Sequence, residues 1–256
     1  MAYREHRAPQ QLQALVECGW LDTAEADGLH AVLPDGCMDL VWTGSRLLVA
    51  GPDTVTRPAA RERGVTTAGL RFAPGALPSL LNVPAVELHN RSVVLAELAR
   101  APARAAVARL EAGEAPLPVL AAVAARLPGT APGPSVTALR TALAPDRATA
   151  GRGEPTPESV AALADMLGCT TRSVHRRCLA AFGYGPAVLR RVLRFRRAVA
   201  LLRAGVAPAE AAAQLGYADQ PHLSREVRAL TGTSPRQLAN GANRSTPLPS
   251  GSWTTA

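Results

Sequence analysis

Two small sets of mostly polar side chains carry the chemistry of this chain. The first is Thr171, Arg172, His175 and Arg176; the second, about 48 residues further on, is Gln220, Pro221, His222 and Arg225. Once an inward apolar face is assigned to each segment, both sets fall on the outward side near the N-terminal half of a helix. Arginine donates two parallel hydrogen bonds to guanine O6 and N7, and glutamine pairs in the same way with adenine. Each good bidentate contact discriminates one base by roughly 1–3 kcal/mol. Arg190, Arg191, Arg196 and Arg228 read instead as phosphate contacts, which add affinity and salt dependence without sequence information. The chemistry these residues suit is recognition of double-stranded DNA.

Such side chains need rigid mounts, and the flanking sequence supplies the same mount twice. Residues 167–186 read "LGCTTRSVHRRCLAAFGYGP" and residues 215–235 read "LGYADQPHLSREVRALTGTSP". In the first copy, Thr156 suits an N-cap and Pro157 a first helical position. Val160, Leu163, Ala164 and Leu167 then follow at helical spacing. Gly168 ends that helix, Thr170 or Thr171 caps the next, and Val174, Cys178 and Phe182 face inward before Gly183 stops it. Two short helices joined by a tight glycine turn make a helix-turn-helix. In the second copy Pro208 opens a helix, Gly216 breaks it and Asp219 caps another with Leu223, Val227 and Leu230 inside. Gly232 stops that helix, and Ser234-Pro235 starts a last one. Between the copies, Pro186 to Gly205 carries Leu189, Leu193, Val199 and Leu202 on apolar faces. It predicts one helix of about 19 residues, about 28 Å long at 1.5 Å per residue. Successive major-groove faces on one side of B-DNA recur about every 34 Å. A rod of that length could hold two reading helices in adjacent grooves.

Charge is distributed to match. The chain of 256 residues has a formal net charge of +8. Residues 1–155 hold 15 arginines against 15 acidic residues, whereas residues 156–240 hold 12 against 5. A surplus confined to one segment is what a polyanion partner requires. Every cationic side chain other than histidine is arginine, which goes with a general composition bias also seen in the alanine excess. No apolar run is long enough to span a membrane, and charges occupy the place of a signal-peptide core, so the expected location is the cytoplasm, at the nucleoid. The four cysteines show no CxxC spacing and read as reduced thiols.

The arrangement "LADMLGCTTRSVHRRCLAAFGYGP … VLRFRRAVALLRAG … AEAAAQLGYADQPHLSREVRALTGTSP" resembles the DNA-binding domain of AraC/XylS-type transcriptional regulators. The likeness covers about residues 156–240, and it implies seven helices with the long one tying two DNA-reading units. By position, Arg172, His175 and Arg176 match the first reading helix, and Gln220, His222 and Arg225 the second. The family often has phenylalanine where this chain has Cys178, Leu223 and Val227, which implies smaller cores. Family members join this domain to a sensing or dimerising one, often a small barrel of cupin type. The resemblance thus implies double-stranded DNA as partner, with a small-molecule effector or a second copy as homodimer, and RNA polymerase in an activator.

The N-terminal part reads as strand-rich. "GLHAVLP", "MDLVW", "SRLLVAG" and "VTTAGLRF" are short apolar or β-branched runs between turn residues. Residues 76–145 turn alanine- and leucine-rich, with helical spacing broken by Pro84, Pro102, Pro116 and Pro118. The expected fold class is therefore α+β: a cupin-like small barrel with helices, then an all-α domain. The expected domains are 1–150 for sensing or dimerisation and 156–240 for DNA, with a disordered tail at 241–256. His6, His30 and His89 are far apart without an H-x-H pair, so neither a metal nor any other cofactor is expected. Asp39 and Arg71 read as buried partners or pocket groups. Cys37, behind Pro34-Asp35-Gly36, reads either as a small buried hydrophobe or as a reactive, alkyl-accepting thiol. The second option would make the chain a DNA-directed enzyme or damage-response protein. Against an enzyme, no nucleophile–base constellation, phosphate loop or metal spacing is found.

Overall fold

Strict alternation of side chains builds the N-terminal sheet. In a computed structural model, which describes residues 3–144 and 159–240, strands β4 (Met38–Trp42) and β7 (Thr66–Phe72) pair antiparallel, Leu40 opposite Leu70 and Asp39 opposite Arg71. This register puts Leu40, Trp42, Ala68, Leu70 and Phe72 on one face and Asp39, Val41, Thr67 and Arg71 on the other. β2 (Val16–Thr23) and β5 (Leu47–Ala50) extend both faces, and β1 (Arg4–His6) and β8 (Ser92–Val94) close the edges in the order β1-β2-β7-β4-β5-β8. A second sheet of two strands, β3 (Gly28–Val32) and β6 (Arg57–Arg61), pairs His30 with Ala59. The strands predicted from "MDLVW", "SRLLVAG" and "VTTAGLRF" are all present, while β1, β2, β6 and β8 were not foreseen.

The apolar face packs against helices α1 (Ala76–Leu81), α2 (Leu95–Leu98), α3 (Arg100–Glu111) and α4 (Pro116–Ala124), with two 3-10 turns at Gln10–Leu12 and Ala85–Leu88. Pro102, Pro116 and Pro118, expected to interrupt helices, instead lie in the first turns of α3 and α4. First-turn amides have no intrahelical acceptor, so the missing proline N–H costs nothing there.

Seven helices follow among the described residues: α5 (Pro134–Leu143), α6 (Val160–Met166), α7 (Thr171–Phe182), α8 (Pro186–Arg203), α9 (Pro208–Gln214), α10 (Gln220–Thr231) and α11 (Pro235–Asn240). Thr156, Pro157 and the expected tail lie outside the described residues; the observed cap of α6 is Ser159, whose Oγ accepts from the Ala162 amide. The glycines that close the two helix-turn-helix units are left-handed as required, Gly183 at φ 83° and Gly232 at φ 72°. One core joins Leu139, Leu143, Leu163, Val174, Cys178 and Phe182 to Leu189, Val192 and Leu193 of α8. A second joins Phe195, Ala198, Val199 and Leu202 of α8 to Ala212, Leu223, Val227 and Leu230. α5 therefore packs with the C-terminal helices, although it precedes the expected boundary near residue 150. Cys178, Leu223 and Val227 are completely buried, in cores that also hold Phe182 and Phe195.

The two regions are packed together. A Cβ added at Gly183 would lie 2.7 Å from Pro52 Cγ and 3.2 Å from the Ala85 carbonyl oxygen, whereas one at Gly232 would meet nothing within 4 Å. Gly232→Ala should therefore cost only left-handed backbone strain, about 1–2 kcal/mol. Gly183→Ala should cost clearly more, because Pro52 and Ala85 must also move. Denaturant midpoints of the two variants check this, and equal losses would show that the contact carries no energy.

Candidate nucleic-acid interface and internal cavity

Helices α7 and α10, the second members of the two helix-turn-helix units, both begin at side-chain caps. Thr170 Oγ1 accepts from the Ser173 amide at 3.2 Å, and Asp219 Oδ1 from the His222 amide at 2.6 Å. Capping fixes where each helix starts and hence which residues form its first outward turn. Thr171, Arg172, His175 and Arg176 are exposed on α7, as are Gln220, Pro221 and Arg225 on α10. His222 is half-buried: its Nδ1 accepts from the Ala218 amide at 3.3 Å and its ring packs edge-on against Tyr217. Only its Nε2 side can face outward.

The four arginines assigned to phosphates separate. Arg228 is exposed, and Arg190 lies half-buried on α8. Arg191 donates through Nε to Glu226 at 2.8 Å and so ties α8 to α10. For Arg196 the phosphate expectation is corrected. Its guanidinium turns into the N-terminal region, where Nη1 donates to Glu17 Oε1 at 3.0 Å and lies 3.3 Å from Cys37 Sγ, while Nη2 bonds the other Glu17 oxygen. Burial works against that charge, but the Glu17 carboxylate, bonded through both oxygens, offsets it and holds the guanidinium protonated. The spacing contained the signal: Arg196 follows Leu193 and precedes Val199 by three residues each, which puts it on the inward stripe. Arg197, exposed on α8, went unnoticed in the sequence.

Two loops of the N-terminal region reach α7, α8 and α10. In the first, Leu33 joins the core around Phe195 and Leu230, a Cβ on Gly36 would touch Leu193 at 3.3 Å, and Cys37 meets Arg196. In the second, Pro52 lies against Gly183 at the end of α7, and the Thr56 amide donates to the Leu230 carbonyl in the last turn of α10 at 2.9 Å.

The same loops wall a cavity of about 510 Å³ between the polar face of the large sheet and the β3–β6 ribbon, lined by Leu33, Asp35, Cys37, Gly51 and Asp53 among others. Inside it, Arg71 Nε stands 3.4 Å from both Asp35 and Asp39, and the Trp20 indole donates to Asp39 at 2.9 Å. Asp39 and Arg71, singled out in the sequence, are thus brought together. Trp20, Asp22, Asp53, Arg57 and Arg61 went unread, because they come from strands with little β-signal or from a loop. Burial lifts the Asp39 carboxyl to about 6 against the pull of Arg71. Burial likewise lifts Asp53 to about 7, opposed by Arg57 and reinforced by Asp35 and Asp39. Cys37 is buried, and burial with the nearby carboxylates pushes its thiol well above the usual range. That is the environment of a packing group, since reactivity needs the thiolate. Among the described residues no cluster of three or more His, Cys, Asp or Glu is arranged to hold a metal. No helix there is long and apolar enough to cross a membrane.

Paired helices with capped, exposed, arginine-bearing second members define a helix-turn-helix DNA-binding protein. Residues 163–241 match a family described as "Helix-turn-helix domain", of AraC type, and residues 4–94 match "Domain of unknown function (DUF6597)". The C-terminal region is thus an AraC-type helix-turn-helix domain, and the protein is a DNA-binding transcriptional regulator. Among solved structures, apo ToxT from Vibrio cholerae is similar over 93% of this chain and 96% of its own, with 10% identity and a TM-score of 0.44. No curated protein matches the chain in sequence.

The cavity makes a pH prediction. Unfolded aspartates titrate near 3.9, so the folded chain holds extra protons on Asp39 and Asp53 between about pH 4 and pH 7. Their contribution to stability is complete below pH 4 and is lost as pH rises through 6 to 7. Melting temperature should fall across that window at constant ionic strength, and Asp53→Asn should flatten the fall. An unchanged slope in the variant would remove Asp53 as its source.

Proposed function

We propose that this regulator reads two consecutive major-groove segments, one with α7 and one with α10. Base contacts come from Thr171, Arg172, His175 and Arg176 on the first and from Gln220, Pro221, His222 and Arg225 on the second. Arg190, Arg191 and Arg228, joined by Arg197, supply phosphate contacts; Arg196 serves the inter-region contact instead. The observation that carries this reading is that one helix of 18 residues, α8, belongs to the cores of both reading units. At 1.5 Å per residue it spans about 27 Å, comparable with the distance between neighbouring groove faces.

The DNA-binding unit takes in α5 and so begins near Pro134. The region before it acts as the sensing domain, with the cavity as effector site, because the loops at residues 33–37 and 51–56 border the cavity on one side and touch α7, α8 and α10 on the other. An effector that shifts either loop would change how the reading helices are held. The setting is the cytoplasm, where the protein acts on double-stranded DNA as a homodimer, and through RNA polymerase where it activates.

Selection of bound fragments from random DNA, followed by footprinting, tests the two-segment reading. Protection should cover two groove segments per protomer, and a duplex offering a single segment should bind far more weakly. Full affinity for the short duplex would refute it. Within the selected site, Arg225→Ala should relax preference at one base position at a cost of roughly 1–3 kcal/mol. Arg228→Ala should weaken all sequences alike and reduce the logarithmic salt slope by about 0.9, while Arg196→Ala should leave that slope unchanged. Titrations over several operators and salt concentrations check all three.

A further inference from the structure

The charges buried in the cavity do not balance. Of the residues lining it, Asp22, Asp35, Asp39 and Asp53 are each less than one-tenth exposed, and Arg71 is the one arginine buried to that degree. Arg71 is shared between Asp35 and Asp39. Arg57 and Arg61 stand nearer solvent and are already engaged, Arg57 Nη2 donating to Ser92 at 2.8 Å and Arg61 bonding Asp22 Oδ2. Arg46 and Glu62, both exposed, offset one another at the rim.

Two carboxylate oxygens are left without a hydrogen-bond donor, Asp22 Oδ1 and Asp53 Oδ1. Arg57 Nε comes within 3.2 Å of Asp53 Oδ1 but out of hydrogen-bonding alignment. A buried acceptor without a donor is unfavourable, and a donor-bearing ligand would cancel that cost. Beside these carboxyls stands an aromatic wall, the Tyr3 and Trp20 rings stacked with centroids 6.2 Å apart. Trp20 lies flat over Gly69, where any Cβ would come within 2.3 Å of the indole. The absence of a side chain there is what allows the ring to line the cavity.

From this arrangement we infer that the cavity binds a small organic cation, an amine or amidine carried on an aromatic or apolar body. Asp53 and Asp22 accept its hydrogen bonds, and Trp20 and Tyr3 take its body by stacking and cation–π attraction. An anion would have to take Arg71 from two carboxylates, and a neutral molecule would leave the surplus negative charge uncompensated. Burial lifts the carboxyls of Asp39 and Asp53, the neighbouring aspartates add to the rise, and Arg71 and Arg57 do not bring them back down, which agrees with a site short of positive charge. A volume of about 510 Å³ is within the range of small-molecule sites. The inference deepens the sensing role proposed above by giving the ligand its chemical class.

The test uses the full chain without DNA, slightly above neutral pH, so that its outcome does not depend on operator recognition. Benzylammonium, benzoate and benzyl alcohol, close in shape but different in charge, are titrated at matched ionic strength and followed by calorimetry and thermal shift. Benzylammonium should bind saturably and at least tenfold more tightly than the other two. Asp53→Asn and Asp22→Asn should each weaken it roughly tenfold while far-ultraviolet circular dichroism stays unchanged. If one variant fails to fold, the other decides. Preference for benzoate or benzyl alcohol, no saturable binding of benzylammonium, or equal binding by the folded variants would overturn the inference. Benzylammonium binding that leaves operator affinity unchanged would uphold it and count against the sensing role alone.

Discussion

The architecture rests on one continuous helix sharing its burial between two cores. Leu189, Val192 and Leu193 of α8 complete the first helix-turn-helix, and Phe195, Ala198, Val199 and Leu202 complete the second. Neither unit can bury its apolar face without its half of α8, and an α-helix resists bending because each turn is hydrogen-bonded to the next. The relation between α7 and α10 is therefore set by backbone geometry, with the Arg191–Glu226 pair as a further tie across α8 and α10.

The contact between the N-terminal region and this helical unit has a mixed character. Gly183 against Pro52 is a close steric fit that leaves little room for adjustment. Arg196 with Glu17 is a partly solvated ion pair, whose desolvation cost offsets much of its attraction. The loops at residues 33–37 and 51–53, which touch the helical unit, also line a cavity rich in carboxyls.

Much of the helical half was legible because its signals are local. Glycines at helix ends, Thr170 and Asp219 as caps, and Pro186 as an opener all act within a few residues of themselves, and all are found in those roles. Arg196 was misread because outward and inward arginines look alike until the stripe through Leu193 and Val199 is counted against it. In the N-terminal half, β2 escaped notice since "VECGWLDT" carries glycine and acids among its apolar residues, and β6 since "RPAAR" has little strand propensity. Both are held by partners far away in sequence, β2 by β7 and β6 by β3.

What the sequence by itself determined is the doubled helix-turn-helix with its exposed arginines, because periodicity, caps and glycine turns operate over distances shorter than a helix. What only the tertiary structure decided is the cavity and its link to the DNA-reading unit. Asp22, Asp39, Asp53 and Arg71 become neighbours through strand register, and Glu17 meets Arg196 across 179 residues of chain. No local rule pairs residues so far apart; the pairing exists only once the sheet and the helices have packed.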